Sequence, residues 1–194
     1  MYILCRMDEV SLKNQIEKLQ KTYYEENGKN TVFKNTQKKQ CAEYLTGQMD
    51  VSILLDKTVF IVPNKNCVFL DYTVFKLYAH EPMYETIVKH ILKVISNCID
   101  QYGCFETHIN LKSFTISAAQ RYVNVIKLFC NLCLQSNTRY ASLINKMVIY
   151  NAPSMIDVIS KMFRPFINDR VRERIELVKL ETSADRLVQL FALG

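Results

Sequence analysis

The stretch MVIYNAPSMIDVISKMFRPFIN, residues 147–168, constrains this chain more than any other. Two of the four prolines, Pro153 and Pro165, stand twelve positions apart in it. An apolar run stops at Asn151-Ala152-Pro153, an amphipathic segment follows, and Pro165 closes it. Asn and Pro suit a tight turn leaving a strand. Pro153 pre-sets φ and lacks only an N–H that a first helical turn leaves unpaired. Met155, Ile156, Val158, Ile159, Met162, Phe163 and Phe166 crowd one side. Asp157, Ser160, Lys161 and Arg164 take the other, near the 3.6-residue period. The expectation is strand, turn, short helix, break. On pattern alone the helix is either a core-packed element or a movable wall over a cavity.

The elements around it alternate. Tyr84, Ile87, Val88, Ile91, Ile95 and Ile99 predict a long helix opened by Pro82 and ended at Gly103. Residues 104–111, CFETHINL, alternate in the manner of a strand. Ser117, with Gln120 three residues on, predicts a capping box and a helix reaching about residue 136. After the 147–168 stretch, Asp169 is read as the cap of a helical turn. IELVKL, residues 175–180, reads as a last strand, and Ser183 as the cap of a terminal helix over 184–191. Such alternation predicts an α/β fold with a mainly parallel sheet flanked by helices and right-handed crossovers.

Upstream, residues 8–26 read as a helix through Val10, Leu12, Ile16 and Leu19, ended at Gly28. Residues 28–40 read as a lysine-rich loop or linker, and 37–45 as a second short helix. VSILL, TVFIV and CVFLDYTVFKLY read as β-rich runs. The runs flanking Pro63-Asn64-Lys65-Asn66 are expected to pair as a hairpin or to lie near each other. The division is therefore a helical N-terminal segment over 1–48 and an α/β domain over 49–194.

Composition narrows the function. Hydrophobic residues make 49% and charged residues 23%, both globular values. With no run of 18 apolar residues and no basic-then-apolar leader, a cytoplasmic protein is expected. The seven cysteines fit reduced thiols better than a disulfide framework. Net charge is +6, with seven lysines between Lys13 and Lys39 and a second cluster at Lys161, Arg164, Arg170, Arg172 and Arg174. This balance suits a solvated basic surface or an anionic membrane; nucleic acid is not an expected partner.

A search for catalysis finds no HExxH, no nucleophile elbow and no phosphate loop. Cys130 and Cys133 have a C-x-x-C spacing, but inside an amphipathic helix they read as core. His108, on a strand, reads as a satisfied core or edge histidine. Catalytic residues, metal ligands and cofactors are accordingly all expected to be none.

Taken together, INLKSFTI at 109–116 followed by a helix, then VIYNAP, then a helix ending in RPFIN, resemble the CRAL-TRIO lipid-binding domain. The family pattern is a D-L-x-G strand, a helix, a strand closing with N-A-P, and a gate helix reaching K-P-F-L. Asn151-Ala152-Pro153 matches in full, and Arg164-Pro165-Phe166-Ile167 matches with Arg for Lys. Asn110 and Ser113 stand where the family has Asp and Gly. The acid that partners inositol in phosphoinositide-binding members would fall near Gly103. The resemblance covers about residues 50–191 and describes a compact, divergent member.

It implies a non-catalytic lipid-binding or lipid-transfer protein holding one hydrophobic lipid or phospholipid between sheet and gate helix. Ile156, Ile159, Met162, Phe163 and Phe166 would line the slot. Lys146 stands where such members carry a headgroup lysine. Lys161, Arg164, Arg170 and Arg172 would meet the membrane, transiently. The alternative it carries is a protein-interaction scaffold of the BCH type, without a transferred lipid.

Overall fold

A computed structural model describes residues 2–192, with side chains placed from Ser11 to Ala192. Met1, Leu193 and Gly194, at the ends of the expected domains, and the side chain of Val10 lie outside the described residues. The helices are α1 (Tyr2–Asn27), α2 (Lys34–Gln48), α3 (Val51–Thr58), α4 (Tyr72–Tyr78), α5 (Tyr84–Tyr102), α6 (Ile116–Arg121), α7 (Val123–Cys133), α8 (Arg139–Leu143), α9 (Ile156–Phe163), α10 (Asp169–Arg172) and α11 (Leu180–Phe191). The strands are β1 (Val59–Ile61), β2 (Cys67–Asp71), β3 (Phe105–Asn110), β4 (Ile144–Tyr150) and β5 (Ile175–Leu177). They form one sheet in sequence order. β1 and β2 pair antiparallel across the Pro63–Asn66 turn, as expected, and the other pairings are parallel. The chain is therefore the α/β fold with a mainly parallel sheet that the alternation predicts.

The sheet separates two apolar clusters. The larger joins the first nine helices and Val171 of α10 to one face, around Ile87, Ile95, Phe105 and Ile144. The smaller lies on the other face, where α11 sets Leu187, Leu190 and Phe191 against Phe69, Val148 and Val178. The N-terminal helices share the large core: Leu12, Ile16, Tyr23, Cys41 and Leu45 are buried in it. Thr46 Oγ1 lies 2.9 Å from His80 Nε2, and Lys39 pairs with Glu81 at 3.2 Å.

Several expectations change. VSILL is helical, because Asp50 caps α3 by accepting from the Ser52 N–H. Only 67–71 of CVFLDYTVFKLY is strand; Asp71 accepts from the Thr73 N–H and starts α4. In each case an Asp cap outweighs β-branched composition. α2 starts at Lys34, inside the stretch read as a loop. Thr115, not Ser117, caps α6. A break at Tyr122 divides the expected single helix into α6 and α7. Asn168, not Asp169, caps α10. Lys179 precedes α11, so Ser183 is an interior residue rather than its cap. Cys130 and Cys133 are buried in the main core, and burial pushes the Cys130 thiol up to about 12.

The ends of the parallel strands are tied by a polar chain. Asn151 has a φ of 52°, in the left-handed region. Its N–H donates to Ser183 Oγ at 2.7 Å, and its Nδ2 donates to Asn110 Oδ1 at 2.7 Å. Asn110 Nδ2 in turn reaches Asp71 Oδ1 at 3.2 Å. Thus β2, β3, β4 and α11 are joined through side chains beyond the strand ladders. Burial holds the Asp71 carboxyl above its ordinary range, against hydrogen bonds from Thr73 and Asn110 that pull it down. Ser113, with φ 67°, sits where L side chains are strained.

Asn151→Ala removes a partly buried hydrogen bond and a residue tolerant of left-handed backbone. It should lower stability by about 1–3 kcal/mol in urea titrations. Ser113→Gly relieves strain at a positive φ, offset by greater unfolded-state freedom and a lost bond from Lys76 Nζ to Ser113 Oγ (2.7 Å). The same measurement should give a change of less than about 1 kcal/mol in either direction.

Candidate functional site

α9 starts without a side-chain cap; the Ile156 N–H donates to the Pro153 carbonyl at 2.9 Å. The spacing of Ile156, Ile159 and Phe163 puts them on one side of two helical turns. Ile159 is 4% exposed and Phe163 6%, both within the large core cluster. They approach α6, whose Ala118 and Ala119 are buried and small enough to admit bulky neighbours. Met162 and Phe166 pack against that core half-buried, and Ile156 is half-buried. Met155 and Val158 are 47% and 42% exposed. The helix thus carries apolar groups on its outer side as well as its inner one.

Both ends of α9 are held. Upstream, Asn151 is fixed to Asn110 and Ser183, and the Ala152 N–H donates to the Val178 carbonyl at 3.1 Å. Downstream, Gln135 Nε2 donates to the Phe166 carbonyl at 2.8 Å, and Lys127 Nζ lies 5.0 Å from the Phe166 ring centre. The Asn168 N–H reaches the Leu134 carbonyl at 2.9 Å. Arg164, Pro165 and Phe166 form a 3-10 turn between helix and anchor. Beside this end, Lys161, Arg164 and Arg170 are exposed, while Arg172 is half-buried and ion-paired with Asp169.

Lys146 lies elsewhere. A register shift between Phe105 and Glu106 pairs Glu106 with Lys146, which joins Val148 and Tyr150 on the face under α11. There it is ion-paired with Glu176, whose other oxygen accepts from Arg186 of α11 at 2.7 Å. The structure therefore brings Ile159, Met162, Phe163 and Phe166 together and leaves Lys146 across the sheet from them.

Two surface cavities stand out among the described residues. One, of about 450 Å³, is lined by Asn64, Lys65, Asn66, Cys67 and Tyr102. The other, of about 600 Å³, is bordered by Phe33, Lys34, Asn35, Thr115 and Arg121 among others. Neither is lined by α9, whose inner side fills the space beneath it.

Sequence reading missed two constellations. One is the polar chain through Asp71, Asn110, Asn151 and Ser183. The other, under α11, places Cys67, Glu106 and His108 side by side, with Tyr150 on the imidazole. The period-two pattern of β3 puts Glu106, His108 and Asn110 on one face. That signal was available; the pairing of β3 with β2 and β4 was not.

These features define a mainly parallel α/β domain with a short helix, bounded by prolines, packed over one face of its sheet. Residues 107–192, from within β3 through α11, match the family model for the CRAL/TRIO domain, and this part of the chain is similar to that family. The matched segment contains both the N-A-P turn and the R-P-F turn. A search of curated proteins finds no match. Among the described residues no helix is long and apolar enough to cross a membrane.

The Lys146–Glu176–Arg186 cluster has a defined acid response. Hydrogen bonds from Arg186 and Lys146 hold the Glu176 carboxyl at about 2, below its ordinary 4.5. A carboxylate depressed on folding stabilises above its unfolded value and loses that contribution as pH falls through the folded one. Acid titration of the fold should therefore show stability falling between pH 4.5 and about 2. Glu176→Gln should flatten the stability curve over that window when followed by circular dichroism.

Proposed function

We propose that this chain is a non-catalytic lipid-binding and lipid-transfer protein whose movable wall is α9, here closed. The observation that supports this most directly is the helix itself. Its inner side, Ile159 and Phe163, plugs the space between helices and sheet. Its outer side offers Met155 and Val158, and both ends are pinned near a proline. In water, swinging Ile159 and Phe163 outward would expose two large apolar groups, at about 1.5–3 kcal/mol each. At a bilayer those groups meet acyl chains instead of water, so opening is favoured where lipid is available. A lipid chain then occupies the vacated space, gaining about 0.8 kcal/mol per methylene relative to water. Lys161, Arg164 and Arg170 meet anionic headgroups, each contributing about 1 kcal/mol at the surface; Arg172 joins them on release from Asp169. Lys146 takes part in headgroup binding when Glu176 releases it. The protein is then cytoplasmic and transiently membrane-bound, and residues 49–194 form the lipid-binding unit with 1–48 as its helical brace.

One observation favours a second reading, a protein-interaction scaffold of the same family without a transferred lipid. The slot beneath α9 is filled by the chain's own side chains.

Native mass spectrometry of protein incubated with phosphatidylcholine–phosphatidylserine vesicles separates the two. The lipid reading expects a one-lipid adduct. Val158 is exposed, so Val158→Asp should leave the circular dichroism unchanged while reducing vesicle binding and lipid uptake about tenfold or more. A purely apo mass, with no vesicle binding by the unaltered protein, overturns the lipid reading in favour of the scaffold.

A further inference from the structure

The sheet face under α11 holds a group of side chains that the lipid reading does not use. Cys67 on β2 pairs in register with Glu106 on β3, and His108 lies two residues further along β3. Cys67 Sγ, a Glu106 carboxylate oxygen and a His108 ring nitrogen all lie within 4.8 Å of one another. We propose that Cys67, Glu106 and His108 form a binding site for one divalent cation of the zinc class.

Four features of the geometry support this. First, the donor set is right. A thiolate, an imidazole and a carboxylate are the ligand types zinc takes, at about 2.0–2.3 Å. Around a tetrahedral ion such atoms stand roughly 3.3–3.7 Å apart. His108 Nε2 and Glu106 Oε2 are already 3.4 Å apart, so modest side-chain rotation completes the site.

Second, His108 is prepared for a ligand. It is 6% exposed, and its Nε2 is buried without a hydrogen-bond partner. An unsatisfied buried polar atom is costly unless something binds it. On the other side of the ring, Nδ1 is 2.8 Å from Tyr150 Oη. With Nδ1–H donating to that oxygen, the Nε2 lone pair faces Cys67 and Glu106. This is the arrangement in which an outer hydrogen bond orients a metal-binding imidazole.

Third, the charges close. A dication with the Cys67 thiolate and the Glu106 carboxylate is neutral. The nearby cations are occupied. Lys146 and Arg186 are both held by Glu176, and Lys65 Nζ donates to the Leu190 and Ala192 carbonyls at 2.7 and 3.2 Å.

Fourth, there is access. Cys67 lines the cavity of about 450 Å³, which gives an entry route and room for water as a fourth ligand.

A Cys–His nucleophile does not fit the same residues. The thiol is buried and pushed up to about 11 by that burial and by Glu106, and Nδ1 is engaged by Tyr150. A metal ion reverses that state. On binding, the Cys67 S–H bond breaks, the S–metal bond forms, and the proton leaves to solvent.

The test uses the full chain, freed of metal with a chelator and titrated with Zn²⁺ alone and Co²⁺ alone. One equivalent should bind, and Co²⁺ should give a thiolate-to-metal charge-transfer band with the intense visible bands of a four-coordinate site. Cys67→Ser should abolish the charge-transfer band, and Glu106→Gln and His108→Gln should each weaken binding more than tenfold. Tyr150→Phe, which keeps the ring and loses the orienting oxygen, should weaken it about 10–100-fold. Absence of the band in the folded, unaltered protein overturns the proposal. So does a band that survives in folded Cys67→Ser. Should a variant not fold by circular dichroism, alkylation mapping of the unaltered protein decides. Zn²⁺ protection of Cys67 supports the site, and equal labelling with and without Zn²⁺ overturns it.

Discussion

The hydrogen-bonded chain running from Asp71 through Asn110 and Asn151 to Ser183 is the constraint on which the rest of this molecule depends. Parallel strands leave their ends open, and backbone ladders do not close them. Here a carboxylate, two amides and a hydroxyl bridge β2, β3, β4 and α11. Asn151 can serve because its short polar side chain tolerates left-handed backbone while bonding sideways. The same turn sets the point at which the chain leaves β4 for α9. It also draws Ser183, and with it α11, across the sheet's second face. One residue therefore positions both the helix over one face and the helix over the other.

This explains how the chain departs from the CRAL-TRIO pattern it resembles without losing the fold. Asn110 stands where an Asp is usual, yet its side-chain oxygen still accepts from the Lys112 N–H at 3.1 Å and from Asn151. Its amide nitrogen adds a bond to Asp71 that a carboxylate would not give. Ser113 stands where a glycine is usual and keeps the positive φ, with Lys76 donating to its hydroxyl. The substitutions alter the donors and strain locally while the turn survives.

Local patterning made much of this legible. The 3.6-residue stripe of α5, the glycine stop at Gly103, the turn between β1 and β2 and the Asn-Ala-Pro stop of β4 all follow from short-range chemistry. The misread segments share a cause. In VSILL and at Tyr72–Tyr78, β-branched and aromatic residues were weighed as strand formers, whereas an Asp cap at each start supports a helix. The inner side of α9 was legible as an apolar stripe, but whether it lines a cavity or fills it depends on Ala118 and Ala119, forty residues away. Lys146 shows a further limit. A register shift decides its face, and such an irregularity leaves no periodic trace in sequence.

The two faces of the sheet consequently carry different chemistry. The face toward α9 is apolar and closed by side chains. The face toward α11 mixes aromatic packing with a thiol, an imidazole, two carboxylates and two cations. The strands connect these faces, because successive residues of β3 and β4 alternate between them. Thus Phe105 and Ile109 support the α9 side while Glu106 and His108 face the other. Anything that orders Glu106 and His108 also fixes the backbone beneath the large core. At the far end of β3, Asn110 holds Asn151, the anchor from which α9 departs. A cation held by β2 and β3 would therefore brace the same strands that carry the α9 anchor.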